Sequence, residues 1–305
     1  MLTEQQKKNR TLGIGGTDVA AIAGEKNKYW TAMDVFLEKT GAKPPKDLSG
    51  NPYTYWGHKH EKTIAEVYSE QTGKQLQETD QTFYHPKYNF LLCHIDRLIV
   101  GEKAVLECKT ASAYKADAWG ETSDGKIPSE YLLQVAYQAL ILDLEYVDVA
   151  VLIGGNDFRV FRYHRNPALE ENIVTMCVHF WEQHVLTGIP PAPVVVQDVS
   201  TLYPEDNAQT LTSTPELVAA VQEYHNLSAT IMQLSAAQEK IKLQLAEALA
   251  ENAYLMDPAG EKKLVTYKAS SRKSFDLSTF KTENPELYEK YQQQTYTRPL
   301  RIFNI

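Results

Sequence analysis

The sequence predicts an α/β core, with helices flanking a small mixed sheet, followed by a C-terminal extension built on one long helix. Three observations predict it. Short apolar runs of β type alternate with stretches of helical spacing through the first two thirds of the chain. A Pro-rich exit, Thr187-Gly188-Ile189-Pro190-Pro191 on to Pro193, has the composition of a domain edge. Beyond it a heptad pattern takes over. The expected division is a core over residues 1–195 and an extension over 196–305.

Taken in order, residues 12–39 read as a turn and then helical stretches ending at Thr40-Gly41. Pro44, Pro45 and the run Ser49-Gly50-Asn51-Pro52 mark a loop. Residues 59–72 carry helical spacing in Ile64, Val67 and Tyr68 and stop before Gly73. Leu91 to Ile95 form an apolar strand leading into Asp96, continued by Leu98-Ile99-Val100; Gly101-Glu102-Lys103 has turn composition, and Ala104-Val105-Leu106 opens a second strand. Residues 113–129 read as a mobile polar loop and 130–144 as an apolar-faced helix. Residues 146–153 read as a buried strand, turned at Gly154-Gly155-Asn156-Asp157 into a return strand over 158–163. Residues 167–186 predict another helix. In the extension, Thr214-Pro215-Glu216 is a good helix start. Leu217, Ala220, Tyr224, Leu227, Ile231, Leu234, Gln238, Ile241, Leu245 and Ala248 then step by three and four, a seam of roughly five heptads on a helix over about 214–252. That seam suits self-assembly, a partner protein, or packing on its own chain. Residues 262–267 read as a strand, followed by the basic run Lys268-Ala269-Ser270-Ser271-Arg272-Lys273, either a solvated face or a DNA contact.

A chain of 305 residues with 43% hydrophobic content and 18 Tyr is globular in composition. No apolar run approaches ~18 residues, so no transmembrane helix is expected, and the first residues carry no apolar signal core. Cys93, Cys108 and Cys177 show no paired spacing; they suit a reducing cytoplasm and argue against a Cys₄ zinc or iron–sulfur site. The net charge of −8 looks wrong for a DNA-binding protein. Phosphates, however, are neutralised by local basic groups and by metal, and an acidic exterior around a basic channel reconciles the two.

The chemistry concentrates at Asp96, Glu107 and Lys109. Side chains alternate along a strand, so Glu107 and Lys109 share a face while Cys108 points the other way. A hairpin brings Asp96 beside that face. Two close carboxylates repel, and a hard divalent cation relieves the repulsion; Mg²⁺ suits carboxylate oxygens and leaves waters for a phosphate. Lys109 could orient an attacking water or offset charge on phosphorus. The bland alternative is a surface hairpin with a solvated Glu-x-Lys pair. His58 and His60 alternate like metal ligands but lack a third partner, and Gly13-Ile14-Gly15-Gly16 is either an approach to a DNA phosphate, with Thr17, or a simple tight turn; no Walker Lys follows it.

This layout resembles the PD-(D/E)XK nuclease motif and, more narrowly, the YqaJ-like viral recombinases, relatives of the phage lambda exonuclease. The resemblance covers roughly residues 10–195: the segment Leu12 to Ile22, the run Trp56-Gly57-His58-Lys59-His60-Glu61, Asp96 with Glu107-Cys108-Lys109, and Tyr131-Leu132-Leu133-Gln134-Val135-Ala136-Tyr137-Gln138. Two positions depart: Ile95 stands where the motif's name has Pro, and His94 where the family has Ser. The resemblance implies a restriction-endonuclease-like core and a Mg²⁺-dependent 5′-to-3′ exonuclease, with Mn²⁺ able to substitute. Such an enzyme digests linear duplex DNA to 5′-mononucleotides and leaves 3′ single strands for annealing recombination. It implies that Asp96, Glu107 and the Cys108 carbonyl hold the metal, that Glu61 serves a second metal or its water, and that Gln134 orients Lys109 or the phosphate. Arg10 and Thr17 are implied to hold the 5′-phosphate. It also implies a ring-shaped homotrimer, a single-strand annealing partner, and a phage or prophage protein in the bacterial host's cytoplasm. The rival readings are a site- or structure-specific endonuclease of the same fold and a non-catalytic coiled-coil assembly protein.

Overall fold

A computed structural model describes residues 11–25, 30–45, 50–120, 126–292, 300 and 302–303. The chain divides into two compact units, Met1–Leu202 and Tyr203–Ile305.

The first unit opens with helix α1 (Gly16–Ile22) and helix α2 (Ala32–Lys39), whose Thr31 accepts the Asp34 N–H while Asp34 accepts the Thr31 N–H in return. Helix α3 (Pro52–Thr72) begins seven residues before the expected position 59. Asn51-Pro52 read as loop in the sequence is a helix start: the Asn51 Oδ1 accepts the Tyr53 and Thr54 N–H groups at 2.9 and 3.4 Å, and Pro52 occupies the first turn, where no N–H is needed. Gly73, at φ 70°, closes the helix in the left-handed region.

The strands follow: β1 (Leu76–Gln77), β2 (Phe83–Tyr84), β3 (Leu92–Cys93), β4 (Arg97–Ile99) and β5 (Ala104–Ala111). Helices α4 (Ala116–Trp119) and α5 (Ser129–Ile141) lead to β6 (Tyr146–Ile153) and β7 (Asp157–His164). Five strands form one mixed sheet in the order β1-β4-β5-β6-β7. β5 and β6 are parallel across the α5 connection and the other pairs antiparallel. The predicted single strand over 91–100 is two strands. β3 pairs with β2 in a separate ribbon, and the chain crosses through His94, Ile95 and Asp96 before joining the main sheet at Arg97.

Alternation sorts the sheet into two faces. Val105 on β5 and Val147, Val149 and Val151 on β6 pack with α1, α2, α5 and helix α6 (Pro167–Phe180) in the larger core. Ala104 and Leu106 on β5, with Tyr146 and Ala150 on β6, meet Ile64, Ala65 and Tyr68 of α3 on the other face. An internal polar clamp crosses that second face. The buried Asp148 accepts from the Tyr68 hydroxyl at 2.5 Å and from the Arg162 Nε at 2.7 Å, fixing α3 to β6 and β7.

Residues 113–129, expected as a mobile polar loop, are anchored where described. The fully buried Trp119 stacks on Tyr131 at 5.2 Å, and the Arg159 guanidinium donates to the Gly120 carbonyl. The first unit also runs past residue 195 into helix α7 (Val196–Leu202), because the buried Asp198 accepts from the Thr31 hydroxyl at 2.9 Å.

Among the described residues the second unit comprises helix α8 (Pro215–Leu249), a hairpin of β8 (Tyr254–Met256) and β9 (Lys263–Thr266), and helices α9 (Leu277–Glu283) and α10 (Pro285–Lys290). Thr214 caps α8 by accepting the Leu217 N–H. Along α8 the seam residues from Leu217 to Ile241 are exposed. Among the described residues no helix is long and apolar enough to cross a membrane.

Candidate active site

Because Glu107 and Lys109 are two apart on β5, both face α5. Helix α5 answers with Gln134 and Gln138, one turn apart on one side. The result is a closed knot. The Lys109 Nζ donates to Glu107 Oε1 at 2.6 Å and to Gln134 Oε1 at 3.0 Å. Gln134 Nε2 donates to the same Glu107 oxygen at 2.7 Å, and Gln138 Nε2 donates to Glu107 Oε2 at 2.7 Å. Glu107 is 4% exposed, so these donors replace water around a nearly buried carboxylate. The Tyr131 ring lies 5.0 Å from the Lys109 ammonium and covers it.

Asp96 arrives by a different route. It lies on the crossing between β3 and β4, and its Oδ2 accepts the Cys108 N–H at 2.7 Å. The β4–β5 ladder pairs Arg97 with Leu106 and reaches no further along β5, so the Asp96 carboxylate takes up a backbone donor that a strand would otherwise satisfy. The N–H and C=O of one strand residue face the same side, so the Cys108 carbonyl faces the same edge.

Burial, with the charges of Glu107 and Glu61, pushes the Asp96 carboxyl well above its ordinary range, against the pull of Lys109 and the Cys108 N–H. Burial alone would lower Lys109, but Glu107 and Asp96 outweigh it and hold the amine above its usual value. Lys109 is therefore an ammonium at neutral pH: a donor and a charge, not a base. Burial raises the thiols of Cys93, Cys108 and Cys177, with nearby carboxylates adding to it, so thiolate chemistry has no foothold here.

A cleft of about 370 Å³ opens over this group, lined by Asp96, Glu107, Gln134, Gln138, Glu61 and Thr17 among others. Glu61, from α3, faces the cleft but carries an ion pair: Arg97 reaches its Oε1 at 2.8 Å and also holds Glu78 at 3.0 Å. That pairing sets Glu61 apart from Asp96, whose carboxylate takes the Cys108 N–H; Glu107 has an ion pair of its own, with Lys109. Among the described residues no three His, Cys, Asp or Glu side chains form a ready-made cation cage. The oxygen donors that suit a hard cation are the Asp96 and Glu107 carboxylates with the Cys108 carbonyl. The mutual charge that raises Asp96 is what such a cation would relieve.

Six of the expected site residues therefore meet: Glu61, Asp96, Glu107, Cys108, Lys109 and Gln134, and Thr17 lines the same cleft. Arg10 lies outside the described residues. Gln138 and Arg97 were not foreseen. Gln138 had a signal, the four-residue step from Gln134; its Nε2 also reaches the His94 carbonyl at 3.2 Å, and its Oε1 is buried without a partner among the described residues. Arg97 had none, since its partner Glu61 is 36 positions away. His94 gives its ring to Thr82 at 2.9 Å. His60 stacks on Trp56 at 5.7 Å, while His58 lies beside Glu61, so the two histidines form no metal pair. Gly13 is explained by packing: a Cβ there would sit 2.4 Å from the Phe90 carbonyl, and Ile14 forms a parallel bridge to Leu91.

A model of the YqaJ-like viral recombinase domain matches residues 6–145. The uncharacterized protein YqaJ of Bacillus subtilis strain 168 is 31% identical over 300 residues, spanning 96% of this chain and 92% of the relative. The crystal structure of LHK-Exo, an alkaline exonuclease from Laribacter hongkongensis, in complex with dAMP superposes with a TM-score of 0.50 at 17% identity. That likeness covers 61% of this chain and 94% of the other, and shows a shared fold.

Proposed function

This chain belongs to the YqaJ-like viral recombinase family, and we propose that it is a Mg²⁺-dependent nuclease that digests linear duplex DNA from 5′ ends. One observation carries the reading: Asp96 and Glu107 line one open cleft together, with the Lys109 ammonium bonded to Glu107. A solvated surface pair would not need two glutamines to replace its water. Asp96, Glu107 and the Cys108 carbonyl are the groups that would hold Mg²⁺. When bound, such a cation supplies Lewis acidity at a phosphoryl oxygen and a more acidic water.

The protein's own groups do the rest. Lys109 stays protonated, so its N–H donors orient the attacking water or the phosphate oxygens and its charge offsets the negative charge that builds on phosphorus. Gln134, fixed between Glu107 and Lys109, keeps that ammonium aimed. Glu61, held by Arg97, lines the same cleft and would be the carboxylate that serves a second cation or its water in this reading. Thr17 lines the same cleft and, in this reading, receives the terminal phosphate with Arg10 as its implied companion. The released products are 5′-mononucleotides, and the remaining 3′ strands are substrates for an annealing protein.

Time-resolved digestion of end-labelled duplex, with and without a 5′-phosphate, tests the proposal. Mononucleotides should appear from 5′ ends with Mg²⁺ and not with EDTA, and Lys109→Ala should abolish the release. Nicking or linearisation of closed circular duplex would favour an endonuclease, and metal-independent behaviour unchanged in Lys109→Ala would leave an assembly protein.

A further inference from the structure

We infer that helix α8 is a self-association surface, on which copies of this chain bind one another in a parallel, in-register coiled coil. The helix is 35 residues long, roughly 50 Å at ~1.5 Å per residue, and Leu249 is its one buried residue. Leu217, Tyr224, Leu227, Ile231, Leu234 and Ile241 all lie on the heptad seam and all are exposed, Ile231 at 63% and Leu234 at 65%. A row of large apolar side chains in water is costly, and the row's spacing is that of knobs awaiting holes.

Charge and area identify the occupant as a second copy. The six charged residues of the helix, Glu216, Glu223, Glu239, Lys240, Lys242 and Glu247, fall off the seam, so two identical seams meet without like charges at the contact. Each exposed Leu, Ile or Tyr removes on the order of 100 Å² from water, and two seams together hide on the order of 1,000 Å², the level a specific interface needs.

Register and direction come from Gln238, the single amide on the seam. It occupies an a position, as do Tyr224 and Ile231. When copies run parallel and aligned, Gln238 meets Gln238 and the two amides can bond to each other. Any other register, or an antiparallel pairing, leaves a lone amide against Leu or Ile, at the cost of an unmet hydrogen bond. This inference is independent of the nuclease reading, since no residue of the cleft enters it.

Sedimentation equilibrium of the full-length chain tests it, with the copy number read from the mass. The wild type should associate. The double variant Ile231→Asp with Leu234→Asp should weaken association at least 100-fold while its circular dichroism stays helical and the melting of the first unit stays unchanged. Gln238→Cys should cross-link to itself under mild oxidation, with the wild type and its three native cysteines as the blank. A monomeric wild type would overturn the inference, whether the seam is covered by its own chain or by another protein. So would a double variant of unchanged mass, or a Cys at 238 that fails to link to its own copy.

Discussion

At the residue scale the site is a balance of charge. Asp96 is held above its ordinary range by burial and by Glu107 and Glu61, so its ionisation opposes folding. In metal-free protein that cost is absent below the ordinary aspartate range (~3.9), where both states carry the proton, and grows as pH rises from there toward the folded-state value. Asp96→Asn keeps an oxygen for the Cys108 N–H and removes the charge. Its melting temperature in EDTA should exceed the wild type's at pH 8, by a margin that shrinks toward pH 4.5, and hydrolysis should be lost. Mg²⁺ should raise the wild-type melting temperature and not that of Asp96→Asn; differential scanning fluorimetry reads both. Gln138→Leu removes one donor to Glu107 and should weaken Mg²⁺ affinity or activity by ~10–100-fold, which titration calorimetry and digestion rates measure. The alternation that puts Glu107 and Lys109 on one face was legible in the sequence, as was the Gln134 helix. What Glu61 does was not: its charge is tied to Arg97, a partner no local spacing reveals.

At the element scale the crossing between β3 and β4 and the segment after β5 matter most. The crossing ends one ribbon and begins the main sheet, and this break is what frees Asp96 to bond Cys108. Sequence periodicity could not show it, because Leu91 to Cys93, Ile95 and Leu98 to Val100 are apolar on both sides of the crossing and within it. The segment 113–120 carries Trp119, which supports Tyr131, which in turn covers Lys109. Its composition reads as loop because one Trp among small and polar residues gives no periodic signal. Trp119→Ala should cost ~3–5 kcal/mol in denaturant unfolding, from the cavity it leaves, and should lower activity with it. If stability falls and the digestion rate per folded molecule does not, Tyr131 has no part in holding Lys109.

At the scale of the whole molecule the chain is two compact units, and the first holds the cleft and all of its lining. Residues 1–202 expressed alone should unfold in one cooperative calorimetric transition, whereas a fragment ending at 195 should be less stable, for it loses the Asp198 bond to Thr31. The sequence by itself determined what is local: the helix cap at Thr214, the β6–β7 hairpin, the heptad seam, and the shared face of Glu107 and Lys109. Each follows from a period or a cap within a few residues of chain. Only the tertiary structure decided what lies opposite those residues. Gln138 against Glu107, Arg97 on Glu61 and Asp96 on the Cys108 N–H join positions 31, 36 and 12 apart, and no repeat in the chain encodes such distances. The first two are set by how helices α5 and α3 close over the two faces of one sheet, and the third by the crossing between β3 and β4.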